Sequence, residues 1–207
     1  MKSLSTKENF FIGMSIANSA NYDSSVCVLD RNLNIILIDK FYFADDIEYF
    51  FDNSPYIKDS VICATVVYDN KILDGKWRIH SKHYKMLSDH FKINRGDWTN
   101  RISNRCQSAF NKLKERNIKV IRVDINQLRQ SYKLEPYFLA RTSIDCKNLQ
   151  TLLKLKFNLS NLPENMLSAS ALESILCGIF AMEYANGIEA TTIFKIGEIP
   201  VLSRKCQ

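Results

Sequence analysis

Apolar and polar positions alternate in short blocks along the first third of the chain. FFIGMSIANS (10–19) reads as a first strand, SSVCVLD (24–30) as a second and NIILIDKFYF (34–43) as a third. Their β-branched and aromatic residues and polar boundaries fit strands. The connector RNLN, Arg31 to Asn34, is short enough for a hairpin. ADDIEYFFDN (44–53) then predicts a short helix with acids in its first turn, where they oppose the positive end of the helix dipole. DSVICATVVYD (59–69) is a continuous apolar run, which suits a strand buried on both faces at the centre of a parallel sheet.

After Gly75 the period changes. Trp77, His80, Tyr84, Leu87 and Phe91 recur at spacings of three and four, the mark of one helix face. A second helix is predicted from about Thr99 to Arg116, followed by a short strand in IKVIRVD, Ile118 to Asp124. A small helix through Gln130 follows, with Pro136 in the loop after it. SIDCKNLQTLLKLK (143–156) reads as a helix with Ser143 as its N-cap. The clearest helix is Met166 to Tyr184, with a small apolar inner face of Ala169, Leu172, Ile175, Leu176 and Ile179 and a stop at Asn186-Gly187. ATTIFKIGEIPVL closes the chain with extended character. Three hairpin-linked strands followed by alternating helices and parallel strands make the order β-β-β-α-β-α-α-β-α-α-α. This predicts an α/β, RNase H-like fold with a mixed central sheet, since crossover rules leave few other arrangements. With no linker, repeat or low-complexity tract, residues 1–207 are expected to form one domain.

Charge changes this picture more than composition does. The net charge is +6, but residues 1–60 carry five Lys/Arg against nine Asp/Glu, and residues 71–133 carry sixteen against five. The middle segment is thus +11 and suits a polyanion, with Lys76, Arg78, Lys82, Lys85, Arg95, Arg101 and Arg105 as the candidate phosphate contacts. A solvated helical face is the competing reading, and an acidic protein is the other partner that fits. The six cysteines include no C-x-x-C pair and most lie in apolar surroundings, which favours buried thiols in a reducing, cytoplasmic setting. No apolar run approaches the roughly 20 residues that cross a bilayer, and the first 20 residues alternate as a strand would rather than as a leader peptide.

The segments FIGMSIANS, VICATVVYD, IKVIRVD, ALESILCGIFAMEYANG and GEIPVL resemble, in order and approximate spacing, a widespread uncharacterised bacterial family, domain of unknown function 429. Its fold is held to be RNase H-like and nuclease-related. The resemblance implies a nuclease-type site in which convergent carboxylates hold two Mg²⁺ or Mn²⁺ ions, one activating water and the other stabilising the leaving oxygen.

Those carboxylates carry over unevenly. The first-strand G-x-D reads Gly13-Met14-Ser15, a hydroxyl in place of an acid. The central-strand aspartate falls near Ala64 or Thr65, with Asp69 a few residues on. Asp124 ends the strand IKVIRVD, where the family tends to have glutamate. In the late helix, the family's D-A-L-D reads Ser170-Ala171-Leu172-Glu173, so the second acid survives as a longer one and the first is serine.

Of the four acids expected, from the first strand, the central strand, the later strand end and the late helix, those of the first and central strands are absent, which argues against ordinary two-metal hydrolysis. One-metal chemistry through Asp69, Asp124 and Glu173, with Ser15 adjoining and Asp23 reaching inward, is the active alternative. Against it, Asp69 reads as a turn residue, Asp124 as the N-cap of the next helix and Glu173 as a solvated helix residue.

Other constellations are weaker. His80, His83 and His90 lack further ligands at suitable spacing. Trp77, Tyr84, Phe91 and Trp98 recur every seven residues; Tyr84 and Phe91 read as core, and the two tryptophans as candidates for base stacking. No phosphate-binding glycine loop and no G-x-S-x-G elbow is present. The expectation is a catalytically degenerate RNase H-like domain that binds a partner, nucleic acid first, through segment 71–133. The alternatives are a divergent Mg²⁺/Mn²⁺-dependent nuclease or phosphodiesterase and a protein-interaction module.

Overall fold

The computed structural model describes residues 9–17, 23–42, 44–66, 104–135, 142–196 and 199–205. Asp69, the helix predicted over 77–91 with its three histidines and its Trp77, Tyr84 and Phe91, and also Trp98, Lys76, Arg78, Lys82, Lys85, Arg95 and Arg101 lie outside them.

β1 (Phe10–Ser15) pairs antiparallel with β2 (Ser24–Asp30), and β2 pairs antiparallel with β3 (Ile35–Phe41). The β2–β3 turn is held by Asp30, whose carboxylate accepts from the backbone N–H of Asn32 and Asn34 and from the Asn34 amide. α1 (Ala44–Asn53) leads to β4 (Ser60–Thr65), which lies parallel beside β1. α2 (Asn104–Glu115) precedes β5 (Val120–Val123), parallel to β4. α3 (Ile125–Ser131), α4 (Ser143–Phe157) and α5 (Ala169–Ala185) follow. The chain closes with the antiparallel pair β6 (Ala190–Ile196) and β7 (Ile199–Arg204).

The seven strands run in the order β3-β2-β1-β4-β5-β7-β6. An antiparallel β3-β2-β1 unit extended by parallel β4 and β5, with helices on both faces, is the mixed α/β arrangement of the RNase H-like fold. The closing segment, predicted only as extended, is a hairpin, and its second strand inserts beside β5.

The period of two sorts each strand between two cores. Ile12 and Met14 of β1, Val26 and Val28 of β2, and Ile62 and Ala64 of β4 face α1 and α2, packing with Phe50, Phe51, Phe110 and Leu113. Phe11, Cys27, Leu29 and Cys63 face the other way, toward α3, α4 and α5. α5 is the centrepiece of that second layer: thirteen of its seventeen residues are buried. It starts at Ser168, whose hydroxyl caps the Ala171 N–H, and ends where Gly187 takes φ +85°, a left-handed geometry that suits glycine. The start therefore lies three residues beyond the predicted Met166. α4 likewise takes Thr142 rather than Ser143 as its cap.

α5 approaches the sheet closely because two glycines face each other. A Cβ on Gly13 would stand 1.9 Å from the Ser174 carbonyl oxygen and 2.3 Å from the Gly178 nitrogen. No side chain fits there without lifting the helix, so Gly13 sets how closely α5 rides on β1.

Candidate functional site

β1 runs toward the end of the sheet at which α5 begins, and β2 departs from that same end. The register pairs Gly13 with Cys27 on one side and Cys63 on the other. One step further, Ser15 pairs with Ser25, and Thr65 follows Cys63 by two on β4, so the alternation sets three hydroxyls in a row on the α5 face. All three are at most 2% exposed. Buried hydroxyls need partners, and the first turns of α5 supply two of them. Ser15 donates to the Glu173 carboxylate at 2.7 Å, and Ser25 and Ser170 share a hydrogen bond at 3.0 Å. Thr65 Oγ1 accepts from the Ile16 N–H at 3.2 Å. The spacing of three between Ser170 and Glu173 places both on the face of α5 that meets the strands.

A second carboxylate closes the cluster at its rim. Asp23 accepts from the hydroxyls of Ser168 and Ser170, both at 2.8 Å, and pairs with Lys40 on β3 at 3.3 Å. Burial pushes this carboxyl upward, but the Ser170 and Ser168 hydroxyls and the Lys40 ammonium outweigh it and hold Asp23 below its ordinary range. Arg129 of α3 is buried, 1% exposed. Burial draws its guanidinium down to about 10, opposed by negative charge from Glu173 first and then Asp145.

The sequence candidates thus separate. Ser15 and Glu173 meet directly, and Asp23 joins them through Ser170, Ser25 and the β1–β2 pairing. Asp124 stands at the end of β5 as the N-cap of α3, accepting from the Asn126 N–H at 2.9 Å and the Gln127 N–H at 3.0 Å. Asp69 lies outside the described residues, and Arg105 falls in the first turn of α2 with its side chain outside them. Glu173 is buried, 8% exposed, rather than solvated. Sequence reasoning passed over Ser25, Ser168, Lys40 and Arg129. The Ser24-Ser25 pair opening β2 and the S-A-S triplet opening α5 were the available signals, since hydroxyls at the start of otherwise apolar elements need partners.

A divalent ion of the Mg²⁺ or Mn²⁺ class takes oxygen ligands with carboxylates foremost. Among the described residues no three of His, Cys, Asp and Glu come together so as to hold one. At the positions where the resemblance implies acids, Ser15 and Ser170 bring neutral hydroxyls, and these already hydrogen-bond the remaining carboxylates. The donor set described does not fit an RNase H-type metal centre.

The basic segment is also partly spent. Lys112 and Arg116, at the end of α2 and just beyond, pair with Glu48 of α1; Arg116 further binds Asp52 at 2.9 Å, and Lys112 reaches Asp45 at 3.6 Å. The acidic first third of the chain therefore meets part of the basic middle.

No family model and no curated protein matches the chain. Among solved structures it is similar to T. thermophilus RuvC in complex with a Holliday junction substrate, at 8% identity and a TM-score of 0.45, over 87% of this chain and 97% of that one. Among the described residues no helix is long and apolar enough to cross a membrane.

Proposed function

We propose that this chain is a catalytically degenerate RNase H-like domain, a divergent relative of domain of unknown function 429, that binds a partner through its basic segment 71–133. The observation that carries the reading is the 2.7 Å bond from Ser15 to Glu173. Where the first strand of such a fold would present an acid, this one presents a buried hydroxyl bonded to the helix carboxylate. Removing the strand acid removes the charge that would bind an ion and leaves Glu173 satisfied by the protein itself.

Nucleic acid is the partner class that the charge distribution favours. Lys112 and Arg116 are neutralised by α1, so the phosphate contacts are assigned to Lys76, Arg78, Lys82, Lys85, Arg95, Arg101 and Arg105 in the remainder of the segment. The free, buried state of the five described cysteines supports a reducing, cytoplasmic setting.

The test is fluorescence anisotropy with labelled single-stranded and duplex DNA and RNA across a salt series, alongside a cleavage assay with Mg²⁺, Mn²⁺ or EDTA. Binding whose logarithm falls linearly with the logarithm of salt, without cleavage, is expected. Salt-independent binding, or none, refutes the nucleic-acid partner and turns the search to an acidic protein. Metal-dependent cutting that disappears in Glu173→Ala refutes degeneracy and restores the nuclease reading through Asp69, Asp124 and Glu173.

A further inference from the structure

The two carboxylates of the cluster are treated alike. Each accepts from serine hydroxyls of neighbouring elements, and Asp23 also has a cation of the chain's own within ion-pair distance. Glu173 receives the Ser15 hydroxyl from β1 and stands first among the negative charges acting on the buried Arg129 of α3. Asp23 receives Ser168 and Ser170 from the start of α5 and the Lys40 ammonium from β3 at 3.3 Å. Serines occupy two of the positions where the resemblance implies acids, Ser15 and Ser170. A buried carboxylate without a counter-charge is costly. In a metal-holding site the ion supplies that charge.

We propose that the cluster has replaced bound metal with its own side chains and works as a metal-independent latch. The Ser15–Glu173 bond, and the Asp23–Ser168–Ser170 bonds with Lys40 beside them, fasten the first turns of α5 to the β1–β2 hairpin. The inference rests on the degenerate reading above, but its outcome is separable from that reading.

The latch joins segments far apart in sequence: 158 residues separate Ser15 from Glu173, and 147 separate Asp23 from Ser170. It reinforces the approach that Gly13 permits. Ser15 and Ser25 lie one step along the strands from Gly13 and Cys27 on the same face, so the polar contacts begin where the apolar packing of α5 ends.

The experiment measures thermal unfolding of the full chain in EDTA and in excess Mn²⁺, with free Mn²⁺ read in parallel by electron paramagnetic resonance. Wild-type protein should melt at the same temperature in both, within about 1 °C, and should leave the Mn²⁺ signal undiminished. Ser15→Ala should lower the melting temperature by about 2–8 °C, and Lys40→Met, at a lysine that is 47% exposed, by a smaller amount, both equally with and without metal. A wild-type melting temperature raised by Mn²⁺, with loss of the free-ion signal and both effects abolished in Glu173→Gln, overturns the proposal. So does a melting temperature unchanged by both Ser15→Ala and Lys40→Met. The Mn²⁺ titration of wild-type protein decides the metal question even where a variant does not fold. Failure to bind nucleic acid would refute the partner reading and leave the latch standing, whereas Mn²⁺ capture without cleavage would do the reverse.

Discussion

Two groups of carboxylates in this molecule meet opposite fates. On one face of the sheet, Asp45, Glu48 and Asp52 of α1 reach across the surface to Lys112 and Arg116, and every member of the group keeps contact with water. On the other face, Glu173 and Asp23 sit at the root of α5, where most partners are serines and Lys40 stands beside Asp23. Burial explains the contrast for Glu173, which is 8% exposed, whereas Lys40 beside Asp23 stays in water as the α1 group does. Charge paired with charge in water is screened and contributes little. A hydroxyl aimed at a carboxylate out of water makes a charge-assisted bond whose loss leaves a buried acceptor unsatisfied. The two groups should therefore respond to substitution and salt in different ways.

The largest effect should come from Gly13→Ala. Its methyl would meet the Ser174 carbonyl oxygen and the Gly178 nitrogen, both backbone, so α5 must lift from the sheet. We expect a loss above about 4 kcal/mol in urea unfolding, or no folded protein. Gly178→Ala sharpens the point. Its Cβ would lie 3.0 Å from the Leu29 Cδ1, the far end of a flexible side chain, and the loss should be clearly smaller. A Gly13→Ala loss below about 1 kcal/mol would show that α5 does not need the close approach.

Next in size is Glu173→Ala, which leaves the Ser15 hydroxyl without its acceptor and removes negative charge from beside Arg129. The expected cost is about 1–3 kcal/mol by denaturant titration, independent of salt.

Acid weakens both groups, because the Arg116 guanidinium also holds Asp52 below its ordinary range, so the serine-held member is singled out by substitution. The carboxyl of Asp23 titrates below its ordinary 3.8 in the folded chain, so the unfolded chain binds more protons in the interval between the two values. Its contribution is fully present above that ordinary value and lost as pH falls through the folded one. Ser170→Ala removes a stabilising donor and should raise the pH at which this contribution disappears, seen as an earlier acid-unfolding midpoint by circular dichroism.

The smallest effect belongs to the exposed group. Arg116→Ala should lower stability slightly at low salt and not measurably in molar salt. A large, salt-insensitive loss would break the comparison.

Much of the strand pattern could be read in the chain because the two cores impose a strict alternation: Ile12 and Met14 go one way, Phe11, Gly13 and Ser15 the other. α5 was legible from its small apolar inner face, but its start was not. Ser168 takes the cap, and a run of serines offers several equivalent beginnings. The place of β7 beside β5 was hidden because pairing order depends on contacts distant in sequence. Ser15 was legible as a missing acid, whereas the hydroxyl network around it was not. Ser25, Ser168 and Ser170 have ordinary surface chemistry until folding encloses them, and Lys40 and Arg129 acquire their roles from elements far away in the chain.

The latch on α5 also bears on synthesis at the ribosome. Ser15 emerges early, and its partner Glu173 is made 158 residues later. Until then the β1–β2–β3 unit carries an apolar face, Phe11, Cys27 and Leu29 among it, that its own neighbours in sequence do not cover. The nascent chain must hold that face out of trouble for most of translation at about 5–20 residues per second, so its escape from misassembly depends on elongation rate and on chaperone capture.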